Sequence, residues 1–179
     1  SVSGGNDAAP FIDTRSAGQW SAIAAPLERG STSDPGLQLN SVSCSPDTCA
    51  AVGTAQYRSS PNQDGTFGLI ESYSAGGWSA SQVTLPKFAP SGDSTSLSSI
   101  SCGSAACVLI GEFAGQPPGP IVEVLAGGTV ASTLTPVPGG TAYANLQGVV
   151  CEADGSCVAV GFWRPSTFPS GVPLIDILS

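Results

Sequence analysis

Six cysteines, four similarly placed carboxylates and two aromatic-arginine pairs are the side chains here whose types and spacing suit chemistry. The cysteines form three close pairs: Cys44 with Cys49, Cys102 with Cys107, and Cys151 with Cys157. Between the partners lie "SPDT", "GSAA" and "EADGS", which are rich in turn formers. Each first cysteine closes a β-type run ("LNSVSC", "LSSISC", "LQGVVC"), and each second opens another ("CAAVG", "CVLIG", "CVAVG"). A hairpin with a cysteine at each rim sets the two Cβ atoms at the separation a disulfide requires. A redox centre would instead show one C-x-x-C at a helix start. A zinc site would use tighter spacing and usually histidine, of which there is none. The pattern therefore predicts three structural disulfides and an oxidising compartment, which places the chain as secreted or at the cell surface.

The carboxylates Asp13, Glu71, Glu123 and Asp176 hold one fixed place in the strands "FIDTRS", "LIESYS", "IVEVLA" and "LIDILS". Four equivalent acids can ring a channel and bind calcium through oxygen. No D-x-D-x-D-G cluster accompanies them, so each is expected at a solvent-facing strand position or capping a turn, and no metal or cofactor is assigned.

The aromatic-arginine pairs are Tyr57-Arg58 and Trp163-Arg164. Both fall in connectors, "TAQYRSSPNQDGTFG" and "FWRPSTFPSGVP", that differ from unit to unit, and irregular connectors on a rigid frame are where function concentrates. Aromatic and arginine side chains make binding hot spots, and flat aromatics stack on sugar rings. Tyr57, Arg58, Asp64, Trp163 and Arg164 are the expected ligand-binding residues, for glycan or protein. The plainer alternative is that each aromatic anchors its loop while an arginine pairs with an acid such as Asp64.

Catalysis finds little support. Without histidine no Ser-His-Asp or Cys-His arrangement exists, and the cysteines are committed. A glycosidase needs two carboxylates, for which Glu112 and Asp64 can be named. The four dispersed arginines do not form the cluster that sialidase chemistry uses to grip a substrate carboxylate. The expected function is a non-catalytic binding module. A structural protein joined by terminal strand exchange and a glycoside hydrolase of sialidase-like propeller type are the alternatives.

These groups sit in a repeat. Strand A runs up to the first cysteine, strand B follows the second, strand C carries the acid, and strand D follows a small-residue turn, as in "SAGQW" and "SAGGW". The period is 58 residues from Cys44 to Cys102 and 49 from Cys102 to Cys151. Residues 1–9 are expected to be a flexible lead-in and 10–38 a half unit with strands C and D. Residues 39–96 form unit 1, 97–145 unit 2, and 146–179 an incomplete unit 3 with strands A, B and C. The order CD, ABCD, ABCD, ABC suggests a ring completed by its own ends, or by a second copy through strand exchange. Glycines Gly53, Gly111 and Gly161 are expected to end strand B, where the backbone needs positive φ or close approach. Trp20 and Trp78 hold equivalent places and are expected to pack the units.

The two "SAG" turns look like degenerate Asp-boxes, the hairpins of sialidase-like propellers. The unit "SVSC…CAAVG…LIESYSAGGWS" resembles the Cys-stapled propeller-like repeats of proteins secreted by actinobacteria. The resemblance implies an all-β fold of four-stranded antiparallel blades and no catalytic motif. Three-fold closure as a β-trefoil or β-prism is the alternative, since those folds also use twelve strands.

Composition agrees. Charged residues are 10% of the 179, against roughly 25% in a typical soluble domain, and Ser, Thr, Gly and Pro replace them. That mixture disfavours helices, and no window shows 3.6-residue periodicity. A net charge of −8 with five scattered basic residues excludes phosphate-backbone recognition. No apolar run reaches the eighteen or so residues of a spanning helix, so membrane insertion is not expected. With neither methionine nor a charged leader region, the chain reads as a mature or excised product.

Overall fold

The computed structural model describes residues 10–26, 37–46, 48–60, 63–74, 76–83, 93–167 and 170–178, with backbone only at 16, 57–60 and 63–64. The structure is all-β among these residues. A leading hairpin is formed by β1 (Phe11–Ser16) and β2 (Gln19–Ala24). Sheet 1 comprises β3 (Gln38–Cys44), β4 (Cys49–Ser60), β5 (Gln63–Ser74) and β6 (Gly77–Gln82). Sheet 2 comprises β7 (Thr95–Cys102), β8 (Cys107–Phe113), β9 (Gly119–Ala126) and β10 (Thr129–Leu134). Sheet 3 comprises β11 (Thr141–Cys151), β12 (Cys157–Pro165) and β13 (Val172–Leu178). Every sheet is antiparallel with its strands in chain order, so each unit of the repeat keeps a sheet to itself. The described residues form neither a closed barrel nor a closed propeller ring.

The hairpin turns follow from local stereochemistry. Ala17 and Gly18 link β1 to β2 with φ of 49° and 82°, and Gly127 and Gly128 link β9 to β10 with φ of 57° and 78°. Two-residue turns with positive φ match the right-handed strand twist, which is why small residues stand at these points.

All three cysteine pairs are bonded. Each bridge joins directly opposed residues at the A–B turn, with Cα–Cα distances of 4.0, 3.9 and 4.1 Å. That spacing marks a non-hydrogen-bonded pair, in which each residue turns its N–H away from the other, so the strand A cysteine, at the edge, points its N–H out of the sheet. Three such bridges suit an oxidising, extracellular setting.

The sheets stack face to face. Ala50, Val52, Ile70 and Val83 of sheet 1 and its exit pack against Leu97, Ile100, Leu109, Phe113 and Ile121 of sheet 2. On the other face of sheet 2, Ile110 and Val122 pack against Leu146 and Ala159 of sheet 3. Strand alternation makes this possible, because β4, β5, β8 and β9 carry apolar residues on both faces and are covered on both.

At their A strands the sheets are joined by hydrogen bonds. The Ser43 hydroxyl accepts from the Cys102 N–H at 3.0 Å, and Ser41 accepts from Ile100 N–H at 3.4 Å. The next junction repeats this geometry: Ser101 accepts from Cys151 N–H at 2.9 Å and Ser99 from Val149 N–H at 3.4 Å. A bulge lies just before the serines in both strands, between Leu39 and Ser41 and between Leu97 and Ser99. It sends one extra side chain across: Asn40 Nδ2 donates to Leu97 O at 2.8 Å, and Ser98 Oγ donates to Leu146 O at 2.6 Å.

The bulge also explains the repeated glycines. Gly53, Gly111 and Gly161 lie within strand B and have no positive φ. A Cβ at Gly111 would collide with the Ser96 carbonyl, as one at Gly53 or Gly161 would with Gln38 or Asn145. Close approach, and not backbone handedness, demands glycine here. Gly111→Ala is expected to cost about 3 kcal/mol, the upper part of the usual overpacking range, because the obstacle is main chain. Urea unfolding measures this, and a midpoint within error of the parent would show that the bulge yields.

Candidate functional site

The connectors singled out by sequence are not simple loops. β4 and β5 continue as a long hairpin through residues 57–60 and 63–65, and the register sets Tyr57 opposite Gly65 and Arg58 opposite Asp64. The side chains of Tyr57, Arg58 and Asp64 lie outside the described residues. Trp163 and Arg164 belong to β12, with Trp163 half-buried and Arg164 exposed.

Around Arg164 a polar cluster is assembled from sheets 2 and 3. The Tyr143 hydroxyl donates to Glu112 Oε2 at 2.6 Å, and Asn145 Nδ2 donates to the same oxygen at 3.1 Å. The Arg164 guanidinium lies 5.6 Å from the centroid of the Tyr143 ring, which also contacts Phe162 at 5.6 Å. β11 pairs Tyr143 with Arg164 and Asn145 with Phe162, so one strand pair positions four of the five groups. Burial first, then the bond to Glu112, holds the Tyr143 phenol above its ordinary value. Glu112 is thereby committed to two donors on one oxygen. Sequence reasoning weighed Glu112 only as an acid catalyst and missed Tyr143 and Asn145, whose "AYAN" has no counterpart in the other units.

A second concavity lies between the leading hairpin and sheet 1. It has a volume of about 820 Å³ and is lined by Phe11, Ile12, Arg15, Val42, Tyr73 and Trp78, together with the Cys44–Cys49 bridge. Tyr73 and Trp78 contact ring to ring at 5.4 Å, and the buried Trp78 Nε1 has no hydrogen-bond partner among the described residues. Trp20, expected to pack between units, is instead 67% exposed, with Arg15 5.9 Å over its ring.

The strand C acids depart from expectation. Glu71 and Glu123 are wholly buried, not solvent-facing, because their strands are covered on both faces. Asp176 is half-buried and Asp13 exposed, as suits the incomplete sheets that carry them. Glu123 Oε1 accepts from Ser132 Oγ at 2.6 Å. Glu71 faces Ala80 at the equivalent register position, and neither of its oxygens has a partner among the described residues. No group of three metal-ligating side chains occurs among the described residues, so the four acids do not converge there.

No known protein family matches the chain, and no curated protein is significantly similar to it.

Burial alone raises the Glu71 carboxyl to about 7. Burial raises that of Glu123 to about 7 against the lowering effect of Ser132. Both folded values exceed the unfolded ones, so the folded chain holds extra protons between about pH 4.5 and 7. Their contribution to stability is complete below about pH 4.5 and is lost as pH rises through about 7, by on the order of 3 kcal/mol per group at most. Thermal unfolding should therefore show a lower midpoint at about pH 8 than at about pH 5. Glu71→Gln should remove a large part of that drop. An unchanged pH profile in Glu71→Gln and in Glu123→Gln alike would show that neither acid carries it.

Proposed function

We propose that this chain is a secreted, non-catalytic binding module built as an arc of a propeller-like ring, and that it recognises glycan through the B–C rim of sheets 2 and 3. The support for the ring is the repeated sheet, with four antiparallel strands in chain order stacked A strand to A strand. Secretion rests on three structural disulfides in a chain poor in charge.

The observation that carries the binding reading is the Tyr143–Glu112–Asn145 cluster beside Arg164, with Trp163 next to it in β12 on the other face of the strand. Two donors fix the carboxylate, and the tyrosine ring underlies the guanidinium, so the polar groups are held in place before a ligand arrives. Preorganised groups lose less entropy on binding. The Tyr143 and Phe162 rings supply apolar faces for a sugar ring, Trp163 extends the apolar surface of the rim, and Arg164 and the second oxygen of Glu112 suit hydroxyl groups. A carboxylate held by two donors on one oxygen is better fitted to accept hydrogen bonds on the other than to donate a proton to a leaving group, which favours binding over hydrolysis.

Assembly is the second reading, favoured by one observation. The outer face of sheet 3 exposes Val158, Val160, Ile175 and Ile177, the last two at 70% and 75%. The equivalent faces of sheets 1 and 2 are covered by the sheet that follows.

A glycan array with the parent protein should give specific binding that Trp163→Ala and Arg164→Ala each weaken by roughly tenfold or more, the usual effect of losing a hot-spot residue. Binding that survives both substitutions removes the rim. Binding confined to protein ligands in a parallel screen removes the glycan.

A further inference from the structure

The A-strand junctions also reveal a third receiving edge with nothing seated on it. β7 presents Leu97 C=O and the N–H groups of Ile100 and Cys102, and all three are met by side chains of β3. β11 presents Leu146 C=O, Val149 N–H and Cys151 N–H, met in the same way by side chains of β7. The matching groups on β3 are Leu39 C=O, Val42 N–H and Cys44 N–H. The close Cys44–Cys49 pair turns the Cys44 N–H out of the sheet, and alternation does the same for Val42. Among the described residues no side chain reaches any of these three groups. The cavity of about 820 Å³ opens there and is lined by Leu39, Val42 and Cys44.

We propose that this edge is a binding site for an extended segment of another polypeptide with hydroxyl residues at alternate positions. The molecule itself defines the ligand chemistry. In both occupied junctions the donor strand reads amide or hydroxyl, serine, β-branched residue, serine: Asn40-Ser41-Val42-Ser43 and Ser98-Ser99-Ile100-Ser101. The side chains, not the main chain, make these bonds, so the segment lies along the edge and its serines cap the N–H groups. Val42, 61% exposed, and the Tyr73–Trp78 pair give the intervening apolar side chain a surface to cover.

A second copy of the chain does not fit this edge through its own A strand. The A strand whose outgoing side chains are unengaged among the described residues is β11, and it carries Gln147, Gly148 and Val150 where the other two carry Asn or Ser, Ser and Ser. It has no hydroxyl at these three places. The partner is therefore a different serine-bearing segment, and this site is separate from the Trp163–Arg164 rim.

The test is calorimetric titration of the protein with a synthetic peptide containing Leu-Asn-Ser-Val-Ser, with Trp78 fluorescence as a second readout. The peptide should bind, and one with alanine for both serines should bind roughly tenfold more weakly or less, since two hydrogen bonds are lost. Val42→Pro removes one receiving N–H, and proline is tolerated where an edge-strand N–H points outward. It should weaken binding by a similar factor without lowering the melting midpoint. Val42→Glu, at the same exposed position, is the second variant should proline disturb the strand, and it should block the edge by bulk and charge. Trp163→Ala should leave the peptide affinity unchanged, whatever happens to glycan binding. Equal affinity for the alanine peptide, binding indifferent to both Val42 variants, or no binding at millimolar peptide would overturn the proposal. Self-association of the parent that either Val42 variant abolishes would also overturn it, by showing that a second copy holds the edge.

Discussion

The serine hydroxyls on the A strands are the contact on which the stack depends. A sheet edge is a row of N–H and C=O groups that must find partners or water. Here adjacent sheets face one another and do not pair strand to strand, so main-chain bonding cannot continue across the junction. Ser41 and Ser43, then Ser99 and Ser101, satisfy the N–H groups of the next edge from the side. The bulge before each serine pair aims Asn40 or Ser98 at the next carbonyl and brings the strand so near strand B that only glycine fits opposite. Bulge, glycine and serine pair form one device, and the apolar contacts of Ile100, Leu109, Ile110 and Val122 follow from the spacing it sets.

Much of the frame was legible in the sequence, because disulfides and turns are local events. A cysteine pair five or six residues apart across a turn has few geometries open to it, and small residues at the C–D turns report positive φ directly. The strand C acids misled because exposure is not local. Glu71 and Glu123 alternate with apolar neighbours as surface residues do, but their strands are covered on both faces, and only the stacking of sheets shows that. The serines escaped notice for a related reason: Ser-x-Ser in a strand reads as an ordinary polar face, and its role appears only when the next sheet's N–H groups stand opposite. At the rim, "WR" and Glu112 were visible as residue types. Their organiser Tyr143 lies about twenty residues before Arg164 in sequence and meets it only through the β11–β12 register.

The two buried glutamates show how similar units can differ in consequence. Glu123 has a serine opposite, whereas the same position beside Glu71 is Ala80. A buried carboxylate without a donor favours its protonated form, since ionisation there is opposed by lost hydration. Unit 1 therefore holds the less satisfied acid, and it is also the unit whose outer face meets the cavity and the leading hairpin.

The junction bonds have one further consequence, for how such an array can lengthen. Each clamp joins a side chain of one unit to main-chain atoms of the next, and main-chain atoms are the same whatever the residue. A duplicated copy of the first or second unit would therefore arrive carrying its own means of attachment, with no matching change needed in its neighbour. A duplicate of the third, with Gly148 and Val150 in the serine places, would hold a successor without the two hydroxyl clamps. Growth by tandem copying is open to two of the units and disfavoured for the other.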